Sequence, residues 1–517
     1  MADWTAGYVS ELGYTYGYYR ELNPNFVEMM LLASGISPPK FENALELGFG
    51  QGLSINIHSA AGGTNWWGTD FNPSQANFAN RMAAAAGSSA TLFEDSFDAL
   101  LSREDLPSFD FIALHGIWSW ISDENREVIV EIVKRKLNIG GVLYISYNTL
   151  PGWAMFAPMR HLMTQHAKVM GAAGSGIATR ITEALGFADK LIGVNGGYAR
   201  NNADLLGRLE RLKGQPTHYL AHEYFNQDWH PMHFSTLADW LKPAKVEFAC
   251  SAEPLNHVDA INLTEEQQHF LNNIRDPEFR ESVRDFITNQ PFRREYWIKG
   301  KQAMSALERA EIMRSLKVVL TVPAEKVSME VSGTLGPATL QEGLYRPLFD
   351  LLADHVPKTL GEIEQHFSSI QVNDSDVEFA QIAQAIMILI GSGQMQLARR
   401  SDDAIATSQP TTERLNLFLA NRARSNADIS FVASSVTGGG IFVDRIDQMF
   451  LACLRDDQLS SRQLAEQIWS VLEAQGQKLI KDGAPIEDPE ENVQQLEERA
   501  DSFQIDRLPI YRTLGLI

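Results

Sequence analysis

Cysteine is nearly absent: Cys250 and Cys453 are the only two in 517 residues. Their separation suggests no motif and argues against a disulfide scaffold or a cysteine-rich zinc site. No uninterrupted apolar run reaches the roughly 18 residues of a membrane span. The opening MADWTAGYVSELGYTYGYYR has neither a basic n-region nor an apolar h-region, so it does not read as a signal peptide. Positive charge is also short, with 44 Lys and Arg against 65 Asp and Glu and a formal net charge of −21. Affinity for a phosphate backbone comes mainly from Lys and Arg displacing counterions, which makes nucleic acid a poor candidate partner. The expectation is a cytoplasmic protein without membrane insertion. The remaining composition, 44% apolar and 21% charged, is that of a folded chain. The length allows about three to five domains.

The first 150 residues alternate between strand and helix patterns. Apolar runs at Ala44–Leu47, Asn65–Thr69, Thr91–Glu94, Phe109–Leu114 and Val142–Tyr147 are separated by helical stretches at Leu53–Ala61, Ser74–Ala86 and Arg126–Leu137. Strands spaced by helices of this length imply right-handed crossovers and an α/β fold with a doubly wound, mostly parallel sheet. After Pro151 the pattern turns helical, and Lys245–Cys250 reads as a strand returning to that sheet. This suggests a first domain over 1–258 with a helical insertion at 156–214, then a charged, mainly helical region over 259–325. Residues 326–405, with helices near Leu344–His355, Leu360–Phe367 and Val377–Ile390 and a strand at Gln394–Arg399, have the outline of a winged helix. A C-terminal domain occupies 406–517. A faint echo about 101 residues later pairs Phe349 with Phe450, Thr359 with Ser460, Ile363 with Leu464 and Phe367 with Ile468. Duplication and chance similarity between amphipathic helices both explain it. Residues 487–501, with seven acidic residues against one arginine, read as a solvated surface segment.

The sharpest motif is Glu46-Leu-Gly48-Phe-Gly50-Gln-Gly52, after an apolar strand and before a helix. Glycines there permit a tight turn and a close backbone approach to a ligand, while the helix offers its positive end. A dinucleotide fingerprint would read G-x-G-x-x-G; here Leu53 takes the last glycine position, and Glu46 would sit badly beside a pyrophosphate. An acidic residue followed by G-x-G-x-G instead suits S-adenosylmethionine, which carries a sulfonium and an amino-acid zwitterion but no phosphate. Asp70, ending the second strand, can accept both ribose hydroxyls. Asp95 and the Ser96 amide, after the third strand, can read an adenine edge.

His115-Gly-Ile-Trp118-Ser-Trp120 after the fourth strand and Ser146-Tyr147-Asn-Thr-Leu-Pro-Gly-Trp153 after the fifth extend the pattern. So do HEYFN (222–226), WHPMHF (229–234) and RDFITNQPFRREYW (284–297). In these the chain resembles bacterial methyltransferases with a methyltransferase regulatory domain, whose best-known members are protein-lysine methyltransferases acting on outer-membrane proteins. The resemblance implies a class I methyltransferase sheet, an insertion serving homodimerisation, and middle and C-terminal domains around a cleft for a protein substrate. It implies N-methyl transfer to lysine. His115, Trp118, Tyr147 and Trp153, at the carboxyl ends of strands where open α/β sheets bind ligands, are then expected at the acceptor pocket, with His115 also beside the cofactor. Trp118 departs from the family, where tyrosine is expected.

Other clusters read more plainly. His218, His222, His230 and His233 lie close in sequence, but no third ligand has metal-site spacing, so no metal is expected; His222 and Glu223 read as structural or substrate-lining. Tyr14, Tyr16, Tyr18 and Tyr19 suit either core packing or a lid over the cofactor. The candidate recognition helix of the winged-helix outline, DVEFAQIAQAIMILIGSG from Asp376, contains no Lys or Arg, which favours packing against protein over entry into a DNA groove. A small-molecule methyltransferase and a non-catalytic scaffold that keeps the cofactor fold remain as alternatives.

Overall fold

The computed structural model describes residues 15–171, 174–202, 204–370, 377–454 and 459–517. Its centre is a seven-stranded sheet of β1 (Asn43–Leu47), β2 (Asn65–Thr69), β3 (Thr91–Phe93), β4 (Phe109–Leu114), β5 (Leu137–Asn148), β6 (Glu247–Ser251) and β7 (Phe292–Ile298), in the spatial order β3-β2-β1-β4-β5-β7-β6. β1 to β5 pair in parallel, whereas β7 runs antiparallel to both β5 and β6. Strand order reverses between β2–β1 and β1–β4. This is the switch point at which the carboxyl ends of parallel strands leave a crevice. Ala44–Leu47 of β1 are all buried, as expected for a strand covered on both faces.

β7 lies inside the segment read as a separate region after residue 258, so the sheet is completed by chain from beyond that boundary. The apolar-run criterion missed it because its sequence, FRREYWI, places two arginines in the strand. Arg293 and Glu295 are buried together and paired, so the strand carries its own compensated charge into the core.

Two of the crossover helices, Pro73–Ala86 and Asp123–Lys136, begin at side-chain caps. Asn72 accepts hydrogen bonds from the Ser74 and Gln75 amides ahead of Pro73, and Ser122 accepts from the Asn125 amide. The helix Leu53–Ala61 is buried at every residue. One side faces the sheet, and the other is covered by the long helix Asp402–Ala423, whose Thr411 and Thr412 hydroxyls donate to the Ala60 carbonyl. A helix apolar all round needs such double cover. The insertion after β5 packs its own core of Trp153, Phe156, Met163, Leu185, Leu209 and Tyr224. Its helices run on through Thr217–Tyr224, past the expected end at residue 214.

In the C-terminal half, three short antiparallel strands, Lys317–Leu320 flanked by Lys358–Thr359 and Met395–Ala398, pack with the helices Glu342–Leu352, Leu360–Ser368 and Phe379–Gly391. Asp376, the expected start of the last helix, lies outside the described residues, as does Tyr14. That helix buries Ile382 and Ala385 to Ile390, and a Cβ on Gly391 would fall 2.6 Å from Leu255. The echoed pairs occupy matching places: Phe349 and Phe450, Ile363 and Leu464, and Phe367 and Ile468 are buried. Thr359 and Ser460 each cap a helix in a reciprocal capping box. The acidic stretch forms the helix Pro489–Ser502, which buries Val493, Leu496 and Ala500 and pairs Glu490 and Glu497 with Arg462. It is therefore half-buried, not a wholly solvated segment. Among the described residues no helix is long and apolar enough to cross a membrane.

Candidate functional site

The motif after β1 forms a tight loop with Gly48, Gly50 and Gly52 at φ of 72°, 57° and 72°, a region that side chains with a Cβ rarely adopt. A Cβ on Gly48 would fall 2.4 Å from Ile117, and one on Gly52 2.4 Å from Ala79. Gly52 is thus required by helix packing as much as by any ligand. Asp70, at the end of β2, accepts the Gly50 amide at 2.8 Å and the Asn72 amide at 2.9 Å. Its carboxyl therefore fastens the glycine loop to the second strand. Burial pushes its pKa up to about 6. Below it Glu46 is 2% exposed, with one carboxyl oxygen, Oε2, lacking any hydrogen bond. Burial, and then the Asp70 charge, push Glu46 up to about 8.

The loop opens onto a cavity of about 610 Å³ at the carboxyl ends of β1, β2 and β4. Gly48, Gly50, Gly52, Asp70, Asp95, Ser96 and His115 all line it, together with Tyr19, Phe71, Phe97, Trp120 and Asp228. Asp70, Glu94, Asp95 and Asp228 give the lining four carboxylates, with no Lys or Arg. Asp95 is held by Arg103 at 3.0 Å, and the Ser96 hydroxyl caps the helix Phe97–Leu101. The Trp120 indole N–H is buried without a partner. Glu46 does not line the cavity; it stands behind the loop.

His115 forms the wall at the end of β4. Its ring stacks on Tyr19 with centroids 3.5 Å apart, and its Nδ1 lies 2.8 Å from the Tyr144 hydroxyl. Burial, reinforced by the Arg294 charge, lowers its pKa to about 3, so the imidazole is neutral. Tyr19 belongs to a strap over residues 15–23 that crosses the cavity. The Tyr19 amide donates to Ser54 Oγ at 3.2 Å, and His58 Nε2 lies 3.1 Å from its carbonyl. Glu223, in the helix Thr217–Tyr224, is close enough for its charge to raise the Tyr19 hydroxyl pKa. Its own carboxyl is pushed by burial up to about 7.

Three residues expected at the acceptor pocket do not line this cavity. Tyr147 is fully buried on the opposite face of β5, with its hydroxyl 3.4 Å from Glu295. Trp118 is fully buried beneath β4, its indole donating to Met232 Sδ at 3.2 Å and its ring edge-on to Trp240. Trp153 packs on Trp229, Tyr224 and Phe156 in the insertion, with Arg208 over its face. All three are packing residues in this structure. Of the aromatic series, Tyr19 lines the cavity, while Tyr16 packs on Phe78 and Tyr18 on His58 and Phe431. Sequence reasoning missed Asp228, Gln75 and Asn125, which line the cavity from loops and helix starts and carry no motif. Among the described residues no group of three or more His, Cys, Asp or Glu is placed to hold a metal.

Comparison with known proteins follows the same division. Residues 44–141 match the family model of a methyltransferase domain, and residues 216–299 match that of a predicted methyltransferase regulatory domain. The second match includes β6 and β7, so the region named regulatory completes the catalytic sheet. The chain is 36% identical over 518 residues to an uncharacterized protein of Synechocystis, spanning 99% of both chains. It is 26% identical over 328 residues to one from Rickettsia prowazekii, spanning 60% of this chain and 56% of that one. Among solved structures, PKMT2 from Rickettsia typhi in complex with AdoHcy superimposes with a TM-score of 0.71 at 18% identity, over 97% of this chain and 99% of that one. The cavity suits this cofactor class: its acidic lining favours a sulfonium and an ammonium. A phosphate-bearing dinucleotide would meet four carboxylates. The chain belongs to the S-adenosylmethionine-dependent methyltransferases that carry a methyltransferase regulatory domain.

Proposed function

We propose that the protein methylates lysine side-chain amines of a protein acceptor. The observation that carries this reading is the stacked pair of Tyr19 and His115 rings lining the cavity, with the Glu223 charge near enough to act on the Tyr19 hydroxyl. S-adenosylmethionine supplies an electrophilic methyl carbon on sulfur. The Gly48–Gly52 loop lets the backbone approach it. Asp70, with a lone pair free on each carboxyl oxygen, takes the ribose hydroxyls, and Glu46 opposes its positive charge from behind. Asp95 and the Ser96 amide read the adenine edge.

A lysine amine must lose its proton before it can attack, which at neutral pH costs roughly 4–5 kcal/mol. Enclosure against the Tyr19 and His115 rings disfavours the ammonium and lowers that cost. His115, held neutral, adds no repulsion to the incoming cation, but is too weak a base to take its proton. Glu223, with a carboxyl poised near neutrality, is the group we assign to receive it. Aromatic faces stabilise a partly methylated ammonium by on the order of 0.5–2 kcal/mol each. The resemblance to lysine methyltransferases and the large C-terminal half packed on the catalytic sheet support a macromolecular acceptor. The insertion exposes Val169, Met170 and Val194, each more than two-thirds exposed. We assign the insertion to a homodimer contact, as the resemblance implies.

Incubating the protein with radiolabelled cofactor and a cell extract, then separating protein, nucleic acid and small molecules, tests the reading. Label should enter protein and be recovered as methylated lysine. Label confined to small molecules would overturn it.

A further inference from the structure

An open groove of about 430 Å³ lies at the turns after β5 and before β7, lined by Gly152, Arg208, Arg211, Tyr219, Tyr224 and Pro291 among others. Its floor is rigid. The Gly152 amide donates to the Gln290 carbonyl at 3.0 Å, and a Cβ on Gly152 would fall 2.4 Å from Pro291. The turns after β5 and before β7 are therefore locked face to face. Next in sequence, Phe292 packs edge-on to the His115 ring, with centroids 6.4 Å apart. Tyr219 and Tyr224, which line the groove, stand on the same helix as Glu223, whose charge raises the Tyr19 hydroxyl pKa. Pro291 thus lines the groove while its neighbour Phe292 packs on His115, which lines the cofactor cavity.

The groove's charge is opposite to that of the chain. In a protein of net charge −21 it presents two arginines and no acidic residue. Arg208 is preorganised: its guanidinium lies over the Trp153 and Phe156 rings at 4.2 and 4.7 Å and donates to the Gly152 carbonyl at 3.2 Å. Arg211 is exposed one helical turn away. A planar guanidinium fixed on an aromatic face is suited to carboxylates.

We infer that this groove receives the acceptor segment bearing the target lysine, and that Arg208 and Arg211 select lysines flanked by aspartate or glutamate. This rests on the lysine reading above and narrows it to a substrate class. The lysine side chain extends past Phe292 towards the cofactor while its acidic neighbours stay in the groove.

The test uses the full chain, labelled cofactor and three synthetic peptides with a central lysine flanked by Asp, Asn or Arg. The Asp peptide should exceed the Asn peptide in kcat/KM by roughly three- to tenfold, as expected for one or two partly exposed charge pairs. The gain should appear in KM and shrink as salt rises. Arg211→Glu should reverse the order, with the Arg peptide gaining on the Asp peptide. Equal kcat/KM for all three peptides would overturn the inference while leaving the lysine reading intact. Absence of transfer to every peptide and protein would overturn both. If Arg211→Glu instead turned a dimer into a monomer by analytical ultracentrifugation, with flank preference unchanged, the groove would belong to a second copy and the inference would fall.

Discussion

At the scale of single residues, Glu46 and Asp70 make a sharp pH prediction. Both folded pKa values, about 8 and about 6, are raised by burial above the ordinary carboxylate range. A cationic ligand needs them ionised, so cofactor affinity should rise as pH climbs through about 6 and about 8, with protons released on binding. Titration calorimetry in buffers of different ionisation enthalpy measures that release, and none at pH 6.5 would contradict the assignment. Stability of the free protein runs the other way. A raised carboxyl pKa contributes stability below its unfolded value that is lost as pH rises through the folded one, so the melting temperature should fall towards pH 8 and Glu46→Gln should flatten the slope. The glycine loop, Asp70, Asp95 and Ser96 were legible because each follows a strand end at a spacing that ligand chemistry explains. Tyr147 misled because a strand end says which rim of the sheet a residue occupies but not which face. Side chains alternate along a strand: Tyr144 and Ser146 point towards His115 and Gly116, and Tyr147 points away. Trp153→Ala should therefore cost about 3–5 kcal/mol in urea unfolding by emptying the insertion core. Tyr147→Phe should leave turnover nearly unchanged.

At the scale of elements, the strap over residues 15–23 and β7 are the two pieces that sequence patterns did not resolve. The strap has one short 3-10 turn, Arg20–Leu22, and no other regular structure, and its place is set by distant partners. Asn23 Nδ2 donates to the Thr437 carbonyl at 3.2 Å, Arg20 to the Ile390 and Gly391 carbonyls, and Tyr18 lies against Gly439 and Gly440. None of these contacts leaves a local periodicity. They predict a long-range effect: a Cβ on Gly440 would fall 2.9 Å from the Tyr18 ring, so Gly440→Val should shift the strap. Cofactor affinity should weaken although residue 440 does not line the cavity. An unchanged Kd with an intact fold would show that Tyr19 holds its place without this anchor.

At the scale of the whole molecule, the parallel sheet and its cofactor rim were legible in the first 150 residues, while the dependence of that sheet on later chain was not. A fragment ending near Ala260 keeps every glycine of the motif but lacks β7, which pairs with β5 over seven residues, and all three strap anchors. It should fail to fold cooperatively and show no cofactor binding by calorimetry; a soluble fragment that binds normally would refute the interdependence. The same feature sets a clock on biosynthesis. Asn23 and its acceptor at Thr437 are 414 residues apart, an interval of roughly 20–80 s at ordinary elongation rates. During that time a nascent chain already displays the glycine loop without the anchors that hold the strap over it. The cofactor chamber thus waits for the C-terminal half, and a chain whose synthesis stops before Thr437 lacks the anchor of its own strap.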